Sequence, residues 1–315
     1  MDLEIRIEEC FIMYDLLILG SGPAGLGAAI YGMRAGLELA VVDRSSISGG
    51  QVLTTYEVDN YLGFSGISGS EISDKFREHA DNLGVPFVTA EVSRIERHEN
   101  IFVLHTDKED LEAKAVILAT GAAHSMLGVP GELELAGRGV SYCATCDGAF
   151  FRKRTVAVVG GGDVAVEDAI FLAAICKKVY LIHRRDALRA ADSLQKKLMS
   201  LENIEILWNS EVKEIQGQDM VDHIWVYNNK EKSEQQFPVD GIFIAVGVEP
   251  NTQLFEGLVE MDEGGYIIAD EGCETSAAGL FAAGDIRRKP MRQIITAVAD
   301  GANAIHSVQN YFRGM

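Results

Sequence analysis

Short, nearly unbroken apolar runs alternate along this chain with stretches of small apolar residues. The runs Tyr14-Asp15-Leu16-Leu17-Ile18-Leu19 and Leu39-Ala40-Val41-Val42 flank the segment Leu26-Gly27-Ala28-Ala29-Ile30-Tyr31. Runs this short, bounded by glycines, predict buried strands, and the small-residue segment predicts a helix packed closely on them. A further run, Ala115-Val116-Ile117-Leu118-Ala119-Thr120-Gly121, ends on small residues, which let a ligand approach the backbone. The pattern then returns. Val156-Ala157-Val158-Val159 leads through a predicted helix, past Glu167 to Ile175, to Val179-Tyr180-Leu181-Ile182, and later Gly241-Ile242-Phe243-Ile244-Ala245-Val246-Gly247. The two series align without a gap at an offset of 140 residues, Gly20 on Gly160 and Gly22 on Gly162, which reads as a duplicated unit. Intervening stretches such as Phe87-Val88 and Phe102-Val103-Leu104 predict β-meanders packed on each core.

The turns between strand and helix carry the first chemistry. Gly20-Ser21-Gly22-Pro23-Ala24-Gly25 has the dinucleotide-binding spacing between a strand and a helix. Its glycines permit the tight turn and close backbone approach to a pyrophosphate, while the helix start offers unpaired N–H groups. Asp43 follows Gly22 by 21 residues, where a carboxylate suits a ribose diol. In the second copy, Gly160-Gly161-Gly162-Asp163-Val164-Ala165, the corresponding place holds His183, followed by Arg184, Arg185 and Arg189. Guanidinium groups bind a ribose 2′-phosphate that an acid would repel, so this copy reads as specific for NADP(H). Glycine- and proline-bearing loops after each unit, Gly128-Val129-Pro130-Gly131 and Val248-Glu249-Pro250-Asn251, are the candidate interdomain crossings. The expected fold is α/β, with two Rossmann-like three-layer dinucleotide-binding domains. The second is inserted into the first: residues 1–127 and 251–315 form one domain, and 128–250 the other.

Composition narrows the functional classes. The 315 residues suffice for two cores, and a net charge of −19 argues against nucleic acid or an anionic membrane as partner. The acidic start lacks the features of a signal peptide, and no apolar run is long enough to span a bilayer, so a cytoplasmic setting is expected. Met13 directly precedes the first strand and is a candidate biological start, which the intact mass of the native protein would test. Of five cysteines, Cys10, Cys176 and Cys273 are scattered, with Cys176 expected to pack at the end of the second helix. Only Cys143-Ala144-Thr145-Cys146 has a close spacing. Such a unit is a redox disulfide, half a metal site or an accident; without a second pair or spaced histidines, no metal is expected. Near the C-terminus, a strand ending in Gly284-Asp285 offers a carboxylate to sugar hydroxyls, ahead of a helix predicted from Ile294.

Taken together, these motifs resemble the bacterial-type, low-molecular-weight thioredoxin reductases from Tyr14 to the C-terminus. The residues that carry the resemblance are the two glycine fingerprints, Gly49-Gly50-Gln51, Asn60, Ala119-Thr120-Gly121, Cys143-Ala144-Thr145-Cys146-Asp147-Gly148, His183-Arg184-Arg185 with Arg189, Gly284-Asp285 and Arg292-Gln293. The resemblance implies a homodimeric FAD enzyme passing electrons from NADPH through FAD to a Cys143–Cys146 disulfide and on to thioredoxin. It implies that Gly49, Gly50, Gln51, Asn60, Asp285, Arg292 and Gln293 surround FAD; Val92, Ile294, Glu167 and Val246 complete the expected dinucleotide contacts. Cys146 would face the flavin, Cys143 would attack thioredoxin, and Asp147 would move protons. The redox pair and the nicotinamide would share the inserted domain and take turns at the flavin by a domain rotation. Val164 departs from the pattern, since many relatives have a hydroxyl residue there. The rival readings are a flavoprotein reductase of another dithiol carrier and a non-catalytic flavin redox sensor.

Overall fold

Residues that are apolar on both faces of a strand are stable only with helices covering both sides, and this condition shapes the sheets here. The computed structural model describes residues 13–55 and 58–315. Cys10 and the acidic opening stretch lie outside them. In chain order, β1 (Met13–Leu19) feeds α1 (Pro23–Arg34) and β2 (Leu39–Asp43). Then come α2 (Gly69–Asn82), β3 (Phe87–Thr89), β4 (Val92–His98), β5 (Ile101–Thr106) and β6 (Leu111–Leu118). After β7 (Ala122–His124), β8 (Val140–Ser141) and the short α3 (Ala144–Asp147), the second series begins with β9 (Thr155–Val159) and α4 (Asp163–Ala173). It continues through β10 (Lys178–His183), α5 (Asp192–Met199) and β11 (Ile204–Trp208). The strands β12 (Ser210–Gln216), β13 (His223–Asn228), β14 (Ser233–Pro238), β15 (Gly241–Ile244) and β16 (Val248–Pro250) follow, and β17 (Leu280–Ala282) and α6 (Ile294–Gly314) complete the chain.

The chain divides into two units. One comprises the chain up to Leu53, Gly69–Ala123 and Pro250–Met315; the other comprises Thr54–Ser68 and His124–Glu249. Gly128–Gly131 therefore lies inside the second unit; the chain changes unit at Leu53–Thr54, at Ser68–Gly69, within β7 and within β16, the two strands pairing with each other.

In the first unit the sheet order is β3-β2-β1-β6-β5-β4, with β17 also on β6. On the edge away from β1, the eight-residue β6 serves two neighbours: its first half pairs antiparallel with β5 and its second half parallel with β17. Phe102–Leu104 thus lies in the β4-β5-β6 meander, as predicted. Phe87-Val88 does not: it belongs to β3, a third parallel strand beside β2, because α2 supplies the crossover that a parallel neighbour requires. Leu16 and Ile18 face one core with α1 and α6, and Leu17 and Leu19 face the other. Each such fully buried side chain stabilises the unit by about 1.5–3 kcal/mol. Small residues let the two helices touch. A side chain on Gly301 of α6 would collide with the backbone of Ala24 and Ala28 in α1.

The second unit repeats the pattern with a five-stranded parallel sheet, order β11-β10-β9-β15-β8, and a separate meander β12-β13-β14. The repeat holds in the strand register. β1 and β2 pair Leu16 with Leu39 and Leu19 with Val42, and β9 and β10 pair Val156 with Val179 and Val159 with Ile182, each 140 residues on. A shared register of this kind carries the first turn geometry over to the second.

Candidate active site

The two turns are built alike. The amide of Gly20 donates to Val42 O at 2.9 Å and that of Gly160 to Ile182 O at 3.1 Å. Ala119 N–H donates to Leu19 O, and Ala245 N–H to Val159 O, both at 2.8 Å. Gly20 and Gly160 have φ of +105° and +155°, and a Cβ on either would strike the carbonyl of Ala119 or Ala245. Only glycine fits at these positions. The third glycine of the first turn, Gly25, is pressed onto the Gly20 carbonyl. At Gly22 and Gly162 the opposite holds: a Cβ would meet nothing within 4 Å. These two glycines border open space ahead of α1, begun by Pro23 and Ala24, and of α4; neither helix has a side-chain cap. The free N–H groups and the open approach suit a pyrophosphate.

The positions that distinguish the copies also correspond. In the first, Asp43 Oδ2 accepts from the amide and the hydroxyl of Ser21, each at 2.7 Å, and Oδ1 accepts from Ser45 N–H at 2.9 Å. The carboxylate retains further lone pairs but is already oriented. In the second, Gly161 replaces Ser21 and His183 replaces Asp43. The imidazole lies against Gly161 so closely that a Cβ there would overlap the ring. Nε2 of His183 pairs with Ala187 O at 3.0 Å, and burial lowers the pKa of the ring. His183 thus packs beneath the turn as a support for it. Arg184, Arg185 and Arg189 are exposed, and none enters an ion pair among the described residues. Arg189 N–H donates to Gly161 O at 2.7 Å, matching Gly49 N–H on Ser21 O at 3.0 Å. Asp163 accepts from Ala191 N–H at 2.8 Å and so ties this basic loop to the head of α4. Glu167, Val164 and Val246 are exposed in the same unit.

The other expected residues are distributed as follows. Gly50, with φ +58°, would bring a Cβ to 3.7 Å from Gly22 Cα, and Gln51 follows on the short turn Gly50–Thr54. Thr120 is fastened to the returning chain: its hydroxyl donates to Asn251 O at 2.7 Å, and the Asn251 amide donates to Thr120 O at 2.8 Å. Gly121 has φ +69°. Val92 is half-buried at the start of β4, and Asn60 is exposed within Thr54–Ser68 of the second unit. Gln293 caps α6 in a reciprocal pair with Thr296, and Ile294 opens the helix.

The redox candidates form a compact group in the second unit. Cys143 and Cys146 are joined in a disulfide with Cα atoms 5.3 Å apart. Ser141, buried at the end of β8, donates its hydroxyl to Asp147 Oδ2 at 2.6 Å and accepts the Cys143 N–H at 3.1 Å. Burial raises the pKa of Asp147 and the Ser141 hydroxyl lowers it, with a net upward shift. Asp147 Oδ1 is buried without a hydrogen-bond partner among the described residues. A carboxyl group so placed retains its proton more readily than a solvated one and can pass it to sulfur.

Sequence reasoning missed Ser141, and it missed Glu132. Glu132 is only 1% exposed, and its carboxylate accepts from Leu127 N–H at 3.0 Å, Gly128 N–H at 2.7 Å and the Tyr142 hydroxyl at 3.0 Å. Burial and this carboxylate push the Tyr142 phenol up in pKa, and the His124 ring stacks on the Tyr142 ring at 5.3 Å. The signal was present in Gly131-Glu132, an acid after a turn, but nothing local shows that it is buried. Cys176 is buried as predicted, donating to Phe151 O at 3.2 Å, and Cys273 is buried too.

In the first unit, Asp285 Oδ1 and Arg292 Nε are buried without hydrogen-bond partners among the described residues. The Arg292 guanidinium lies 3.9 Å from the centroid of Tyr266. Orphaned polar atoms are rare in folded proteins, and their presence beside a strand-end Gly-Asp is what a polyhydroxylated dinucleotide would satisfy. The residues present therefore fit a dinucleotide in each unit.

Comparison with known proteins agrees with this geometry. Thioredoxin reductase of Bacillus subtilis is 44% identical over 300 residues, 95% of each chain, and that of Listeria innocua is 43% identical. The crystal structure of thioredoxin reductase from Streptococcus pyogenes matches with a TM-score of 0.93 at 44% identity, covering 96% of this chain and 99% of that one. Residues 14–301 match the pyridine nucleotide-disulphide oxidoreductase family. The chain belongs to that family.

Proposed function

We propose that this protein is an NADPH-dependent thioredoxin-disulfide reductase with FAD in the first unit and NADPH in the second. The observation that carries the reading is the Cys143–Cys146 disulfide with Asp147 held against it by Ser141, in the same unit as a glycine turn flanked by three exposed arginines. FAD, when bound, supplies the relay of two reducing equivalents from NADPH to the disulfide.

The residues of this chain do the rest. Arg184, Arg185 and Arg189 hold the 2′-phosphate, while Gly160, Gly161 and Gly162 admit the pyrophosphate. In the first unit Gly20, Ser21, Gly22 and Asp43 hold the other dinucleotide, with Asp285 and Arg292 on its polar groups. Cys146 receives the electrons, leaving two thiols. Cys143, as thiolate, attacks one sulfur of the partner's disulfide, and that S–S bond breaks. Cys146 then attacks the Cys143 sulfur in the mixed disulfide, releasing the partner's dithiol and restoring the Cys143–Cys146 bond. Asp147 donates and recovers the proton needed by the departing sulfur.

The functional domains are assigned as residues 1–127 with 251–315, and 128–250. The redox disulfide and the nicotinamide, both on the second domain, take turns at the flavin through a rotation of that domain, with the passages at β7 and β16 as hinges. A cytoplasmic homodimer is part of this proposal. Separately, no helix among the described residues is long and apolar enough to cross a membrane. Anaerobic titration with NADPH, followed by addition of oxidised thioredoxin, tests the reading. Flavin bleaching and then transfer to thioredoxin are expected, with transfer lost in Cys146→Ser. Bleaching without transfer to any dithiol would identify a redox sensor, and equal use of NADH would overturn the role of the arginines.

A further inference from the structure

Behind Gly284-Asp285 lies a buried charge network that the redox chemistry does not use. Asp300, in α6, is 6% exposed at its side chain, Arg287 9% and Lys289 4%. Arg287 donates Nη2 to Asp300 Oδ1 at 2.8 Å and Nε to Oδ2 at 2.9 Å. Gly284 N–H donates to the same Oδ2 at 2.9 Å, as does Lys289 Nζ at 3.0 Å. Asp300 is thus already neutralised by a two-pronged guanidinium, and Lys289 adds a second cation. A buried ammonium is costly unless an anion balances it. The nearest other anion is Asp285, whose Oδ1 lies 3.6 Å from Lys289 Nζ. That separation is too long for a hydrogen bond but short enough for strong attraction. Two acids and two bases then balance, and Asp285 Oδ1 is left buried and without a hydrogen-bond partner.

We propose that Lys289, anchored by Asp300, is a positioning residue for the dinucleotide of the first unit: it keeps Asp285 ionised while reserving Oδ1 for a sugar or polyol hydroxyl. The inference rests on the assignment of FAD to that unit. Direct pairing of Lys289 with Asp285 would occupy the oxygen, whereas no cation at all would let burial protonate it. Burial does raise the pKa of Asp285, with Lys289 and then Arg292 opposing the shift and Asp300 adding to it. The remaining titratable group facing it is Tyr266, whose own phenol is raised by burial. Arg292 is committed to stacking on Tyr266, so Lys289 is the cation whose removal isolates the effect.

The test is FAD titration of apo-protein, followed by flavin fluorescence from about pH 6 to about pH 9, where an unperturbed carboxylate is fully ionised. Wild type should bind with an affinity that does not vary with pH. Lys289→Met should bind roughly 10- to 100-fold more weakly at the acid end, the loss expected for one charge-assisted hydrogen bond, and recover as pH rises and Asp285 ionises. Lys289→Arg should restore wild-type behaviour. Should Lys289→Met not fold, Lys289→Gln removes the charge while keeping an N–H donor for Asp300, and should show the same pH-dependent binding. Unchanged affinity, or a loss equal at every pH, would overturn the proposal, the latter marking a purely structural residue. Failure of folded wild-type protein to bind FAD would instead overturn the assignment of FAD on which it rests.

Discussion

Ser141 makes two hydrogen bonds that matter to sulfur chemistry, one to Asp147 and one from the Cys143 amide. Its hydroxyl stabilises the ionised form of Asp147 against burial, so Ser141→Ala should raise the pKa of that carboxyl further. The limb of the pH–rate profile governed by Asp147 is expected to move to higher pH; a limb that stays in place would show that Asp147 does not set it. Asp147→Asn should lower turnover by roughly 10²- to 10⁴-fold, the usual contribution of a general acid or base. Because the folded-state pKa of Asp147 is raised, this group weakens the fold as pH rises from its unfolded value through its folded one. Asp147→Asn should therefore be no less stable than wild type at neutral pH. Asp300 behaves in the opposite sense. Burial pushes its pKa up, but Arg287 and Lys289 more than reverse this and hold it below the ordinary range. Its stabilisation is present above the unfolded-state pKa and is lost as pH falls through the folded one. Asp300→Ala leaves two buried cations short of a partner and should cost about 3–5 kcal/mol in denaturant unfolding.

At the scale of elements, the duplicated turns permit a clean separation of stability from binding. A Cβ at Gly162 meets only open space, so Gly162→Ala should leave the melting temperature unchanged. It should nevertheless raise the KM for NADPH by roughly tenfold or more, since the methyl group stands where a pyrophosphate must approach. A lowered melting temperature with unchanged KM would contradict this assignment. The loop before β8 offers a second test. Glu132 gathers the amides of Leu127 and Gly128 together with the Tyr142 hydroxyl, so Glu132→Gln should accelerate hydrogen exchange at those amides while β9 and β10 remain protected. The turns were legible because glycine spacing and apolar runs are local properties. Glu132 and Ser141 were not, since an acid in a loop and a serine at a strand end are commonplace until the fold buries them. Phe87-Val88 was misassigned for a related reason: three residues show too little periodicity to distinguish an edge of the parallel sheet from a meander strand.

For the whole molecule, the insertion puts the disulfide and the second fingerprint in one unit and Asp285 in the other. If both nicotinamide and disulfide must reach one flavin, turnover requires the units to move. A disulfide engineered between the two units is expected to abolish NADPH-dependent thioredoxin reduction, and a reductant that opens it should restore the rate; undiminished activity in the crosslinked protein would refute the rotation. The sequence by itself determined the duplication, the strand–turn–helix succession at each fingerprint, the contrast between Asp43 and the arginines, and the cysteine pair. All of these depend on residue type at fixed spacing, and the shared register between the copies carries that spacing directly into geometry. The tertiary structure alone decided which polar groups are dry. Burial packed His183 beneath its turn, set Ser141 against Asp147, and assembled Arg287, Lys289 and Asp300 behind Asp285. A charge costs little in water and much in a protein interior, and only the folded chain determines which of its charges are taken out of water.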